Sequence, residues 1–189
     1  MRVPPSASSG GATVPVASRA ERAGRVGGAR RHAVWVTELS WDSSPPDPRG
    51  VPAQEQARWL EEALYVLWRS GVDTVTWFLV RDQAPTPSYG DTYQSGIFLR
   101  DGTPKPSATA FAFPFVAEPL GGGKVRLWGR APAAGRVLVQ RRVGGRWVAT
   151  ATFRASAPGR IFTATARLRP GTQLRARADA ATSLVWRLG

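Results

Sequence analysis

The sequence predicts an α/β unit followed by an all-β unit, and three observations carry that prediction. Two apolar runs rich in β-branched and aromatic residues, 33–39 and 72–80, flank a segment with helical periodicity. The charge balance changes past residue 118: 12 Lys/Arg face 12 Asp/Glu up to Glu118, whereas 14 face a single acid, Asp179, over 119–189. Beyond the glycines at 121–123 the pattern becomes short alternating segments separated by turn signals. The hydrophobic content, 42% of 189 residues, is enough to bury a core.

Taken in order, residues 1–17 are rich in Ser, Gly, Pro and Ala without periodicity and read as a disordered lead-in. Residues 18–31, rich in Arg and Gly, read as the frayed end of a helix. The start lacks the continuous apolar core of a signal peptide, and no run reaches the roughly 18 to 20 apolar residues that span a bilayer. The chain is therefore expected to carry no export signal and no transmembrane segment. With no cysteine, disulfides and thiolate metal sites are excluded. The single histidine, His32, reads as a solvated turn residue, and no metal or cofactor is expected.

The run AVWVTEL at 33–39 predicts a strand buried on both faces. After a proline-rich loop, Pro52 precedes a helix expected over 54–70, with apolar positions Ala57, Leu60, Ala63, Leu64, Leu67 and Trp68 spaced by three and four. Gly71 suits the left-handed residue that ends a helix, and 72–80 predicts a second buried strand. Strand, helix and strand in this order predict a parallel βαβ unit.

Active-site groups of such units gather at the carboxyl ends of the strands. Glu38 ends the first strand and Trp77 lies near the end of the second, followed by Arg81, Asp82 and a long loop with aromatic and hydroxyl residues. Position alone leaves two readings open: Glu38 as a catalytic carboxylate or a loop and capping residue, and Trp77 as a ligand platform or a core residue.

The succession VWVTELSWDS, QARWLEEALYVLWRSGVDTVTWFLVRDQ and YQSGIFLRDGTPKPSATAFAFPF resembles the carboxyl-terminal part of a TIM-barrel retaining glycoside hydrolase, of the clan with catalytic glutamates after strands four and seven. The resemblance covers roughly residues 30–116. It implies a partial (β/α)8 barrel, its last two βα units, acting on a carbohydrate substrate in an extracellular or cell-surface parent protein. It further implies Glu38 as nucleophile, Trp77 as the aromatic platform under the reacting sugar, and Trp41 as either a cleft residue or a packed loop tryptophan. A retaining mechanism needs a second carboxyl group about 5 to 5.5 Å away, and no acid/base glutamate of that kind stands upstream of Ala33. Asp42 and Asp47, in the same loop, read as turn residues. The chain is therefore expected to be a fragment or degenerate descendant of a longer hydrolase, inactive as it stands. Domain boundaries follow: lead-in 1–17, barrel fragment 18–118, basic β module 119–189.

The last unit carries KVRLWGR, RVLVQRR, RWVATATFR, RIFTATARLR, QLRARAD and SLVWRL, which predict a small antiparallel β-sandwich resembling fibronectin type III or Ig-like modules. Strict alternation over 146–154 places Arg146, Val148, Thr150, Thr152 and Arg154 on one face and Trp147, Ala149, Ala151 and Phe153 on the other. Arginines facing outward would attract an anionic cell-surface polymer, while a high-GC coding bias is the compositional alternative for their number. Aromatics expected to face inward argue against specific nucleic-acid readout. The alternative to the hydrolase is thus a non-catalytic polysaccharide-binding protein that uses the basic β module.

Overall fold

The computed structural model describes residues 32–189. The expected lead-in at 1–17 and helix end at 18–31 lie outside the described residues. The chain divides into two compact units, one reaching to Lys105 and the other comprising Pro106–Gly189. The seam expected at residues 118 and 119 lies within a strand of the second unit.

In the first unit, β1 (Trp35–Leu39) and β4 (Thr74–Trp77) pair in parallel, with Trp35 opposite Thr74 and Leu39 opposite Trp77. Between them run the short parallel pair β2 (Ser43–Ser44) and β3 (Val51–Pro52), then α1 (Ala53–Arg69). The helix buries one face through Gln56, Ala57, Leu60, Glu61 and Tyr65. It stops at a Schellman arrangement: Gly71 has φ of 79°, its N–H donates to the Trp68 carbonyl at 3.0 Å, and Val72 N donates to Leu67 O at 3.0 Å.

A partial (β/α)8 barrel is not what these elements build. The described chain is mainly β, with 42% strand, 17% helix and two helices, and the second of those, α2 (Pro106–Ala112), has only seven residues. Among the described residues β1 and β4 pair only with each other, a sheet of two strands where barrel curvature needs many. Nor is β1 buried on both faces. Trp35 is 65% exposed, and Thr37 and Glu38 are exposed as well, because among the described residues only β4 flanks it.

The second unit contains two antiparallel sheets. One has three strands in the order β5 (Phe115–Gly121), β6 (Lys124–Arg130), β9 (Ile161–Arg167). The other has five: β11 (Ala181–Thr182), β10 (Gln173–Ala178), β7 (Gly135–Val143) and β8 (Arg146–Ala155) in that order, with β12 (Trp186–Arg187) also on β10. Phe115, Ala117, Val125, Leu127 and Phe162 of the first sheet are buried, as are Val137, Val139, Leu174, Ala176 and Ala178 of the second. Phe153 of β8 meets Phe162 of β9 with ring centroids 4.9 Å apart, joining the two layers.

One register feature departs from the alternation expected for β8. Val139 pairs with Ala151 and the next residue, Gln140, with Ala149, so Thr150 is an extra residue, a β-bulge. A bulge reverses the facing of every residue on one side of it. Phe153 and Ala151 keep the core side, while Trp147 and Ala149 turn to the outer side. The expected inward Trp147 is corrected accordingly.

Candidate polyanion-binding face

At the carboxyl ends of β1 and β4 the two expected site residues differ in setting. Glu38 is exposed. Trp77 is 8% exposed, its Nε1 donates to Ser95 O at 2.9 Å, and its ring lies 5.8 Å from Trp41. Trp41 in turn meets Trp59 of α1 edge-on at 5.6 Å, so the two site tryptophans belong to one aromatic cluster under the helix.

Beside that cluster lies a buried ionic knot. Lys105 Nζ donates to Asp82 Oδ1 at 2.7 Å, Ser43 Oγ at 2.8 Å and Gln94 O at 2.9 Å. A lysine within reach of a serine hydroxyl is one arrangement for activating a nucleophile. Here Asp82 holds Lys105 as its cation partner, and Ser43 Oγ, fully buried, donates to Pro45 O at 2.9 Å. The knot joins the segments that follow β1 and β4 to the long loop; it is a fastening rather than a reaction centre. Burial lowers the Lys105 pKa against the opposing pull of Asp82. Burial likewise raises Asp42, although Gln94 N donates to its Oδ1 at 2.9 Å.

The chemistry that stands open to solvent is on the outer side of the five-stranded sheet. Residues directly opposite each other in an antiparallel pair share a face. From Arg142 opposite Trp147, Gln140 opposite Ala149 and Arg175, Arg177 opposite Leu138, Arg136 opposite Arg154, and Gln173 opposite Arg187, the register assembles six arginines on one surface. No carboxylate residue is among them. The second unit has only two acids, Glu118 and Asp179. Glu118 pairs with Arg126 within the three-stranded sheet at 3.1 Å, and Asp179 meets Arg177 Nε through its backbone carbonyl at 3.2 Å.

Trp147 is the aromatic centre of one end of this face. The Arg175 guanidinium lies 4.3 Å from its ring centroid and that of Arg142 6.0 Å, both within cation–π reach. Sequence reasoning missed Trp147 because period-two alternation runs it inward with Phe153. Only the extra residue at Thr150 reverses it, and nothing in ATAT marks which residue bulges.

Comparison with known proteins finds no matching family model and no matching curated protein. The resemblance to a glycoside hydrolase followed by a fibronectin type III or Ig-like module is therefore carried neither by a relative nor by the fold. Among the described residues no helix is long and apolar enough to cross a membrane, and no group of three or more His, Asp or Glu could hold a metal ion.

Proposed function

We propose that the chain is a non-catalytic binding protein for an acidic polysaccharide of a cell surface, and that it binds through the outer face of the five-stranded sheet. The observation that carries this reading is the set of six arginines on one face without a carboxylate among them. Arg136 and Arg154 stand directly opposite each other across the strands, an arrangement that costs stability. A field of one sign attracts a flexible polymer of the other sign and concentrates it at the surface.

The test is binding of the full chain to immobilised polygalacturonate and to neutral dextran over a series of salt concentrations. Polygalacturonate should be retained and dextran should not, with affinity falling steeply as salt screens the face. Glu38→Gln should leave retention unchanged. Retention indifferent to salt, or equal retention of the neutral polymer, would sink the reading.

A further inference from the structure

Charge on the outer sheet face is not evenly arranged. At one end Arg136 and Arg154 oppose each other with no aromatic between them. At the other, the guanidiniums of Arg142 and Arg175 both reach the Trp147 ring from the neighbouring strands β7 and β10, and both arginines are oriented by neutral amides. Arg175 Nε donates to Gln140 Oε1 at 2.9 Å, and Arg142 Nη1 donates to Gln173 Oε1 at 3.3 Å. An amide fixes a guanidinium without cancelling its charge, so the remaining N–H groups keep their full attraction for an anion. Burial and the neighbouring Arg177 both lower the Arg175 pKa.

We infer that this end of the face is a subsite for one uronic acid unit, whose pyranose C–H face lies on the Trp147 indole while its carboxylate is taken by the Arg142 and Arg175 guanidiniums. The inference rests on the binding reading above and adds the unit that is recognised. A guanidinium matches a carboxylate with two parallel hydrogen bonds, which gives orientation as well as attraction. Trp147 keeps part of its surface open to solvent beside the Arg175 guanidinium. One feature favours a sugar over a single-stranded nucleic acid: single-strand platforms stack successive bases on several aromatics, whereas this face has one.

The experiment is calorimetric titration of the full chain with oligogalacturonate and with polyglutamate of matched charge, which carries the same carboxylates and no sugar ring. Trp147→Ala should weaken oligogalacturonate about tenfold, the order of one stacking contact, and leave polyglutamate nearly unchanged. Trp147→Phe should recover part of the loss, and Arg154→Gln, at the far end, should weaken both polymers alike. Equal effects of Trp147→Ala on both polymers, or none on either, would overturn the subsite while leaving the polyanion reading intact. Tighter binding of a charge-matched single-stranded oligonucleotide, with greater sensitivity to Trp147→Ala, would overturn the sugar assignment. Failure of the unmodified chain to bind either carboxylate polymer would remove the binding reading itself.

Discussion

Asp42 is held in the fold with its proton bound more tightly than in the unfolded chain. Its Oδ1 accepts from Gln94 N, but burial outweighs that bond and raises the pKa above the ordinary 3.8. A carboxyl group that is raised in the folded state contributes stability that is complete below 3.8 and lost as pH rises through the folded value. Asp42→Asn keeps an acceptor oxygen for Gln94 and removes the half-buried charge. The variant should therefore be more stable than the natural chain at ~pH 7, and the difference should close at ~pH 3, where both side chains are neutral. Urea unfolding at the two pH values measures it, and an equal loss of stability at both would show that hydrogen-bond geometry, not charge, decides this position. The neighbouring Lys105 and Asp82 follow different logic, because each is the other's partner and removing one would strand the other in the interior. In the sequence, Asp42 and Asp82 are two of several acids near strand ends. What separates them from exposed Glu38 is burial, which depends on the loop that closes over them.

At the scale of the element, the three-stranded sheet depends on a missing side chain. Gly129 lies between Phe115 of β5 and Phe162 of β9, and a Cβ built there would meet Phe162 Cζ at 2.3 Å and Pro114 O at 2.9 Å. The backbone carbonyl cannot move aside as a flexible side chain could. Gly129→Ala should thus cost roughly 1–3 kcal/mol, the usual range for overpacking a core, read as a lower denaturant midpoint with unchanged slope. An unchanged midpoint would mean that Phe162 can leave its place without loss. Element type was largely legible in the chain: the spacing of Ala57 and Leu60 marked the helix, Gly71 its end, and alternation over 124–187 the strands. Partnership between elements was less so. Apolar content in 33–39 suggested a strand enclosed on both sides, but enclosure requires neighbours, and among the described residues β1 has only β4. The facing of Trp147 was hidden for a related reason. Pattern reading assumes an unbroken period of two, and the bulge at Thr150 shifts it by one, moving the central aromatic of the candidate site from core to surface.

Over the whole molecule, the charge asymmetry couples stability and binding with opposite dependence on salt. The second unit, Pro106–Gly189, contains 14 Lys/Arg and two Asp/Glu, so folding gathers like charges that the unfolded chain keeps further apart. Raising salt from ~0.02 M to ~0.5 M shortens the screening length from about 20 Å to about 4 Å, less than the spacing of most of these charges. If the relief is on the order of 1 kcal/mol, the thermal midpoint of a unit this size should rise by about 4–8 °C. Arg154→Gln should raise the midpoint at low salt and reduce the further gain from added salt, because it removes one partner of the Arg136–Arg154 opposition. A saturating acidic polysaccharide should also raise the midpoint at low salt, since a ligand that binds the folded state stabilises it, and added salt should then take that increment away. Scanning calorimetry with and without polygalacturonate measures both signs in one series. A free chain whose midpoint falls or stays level with salt would show that the arginine face stores no repulsion, and the central argument for a missing polyanion would go with it.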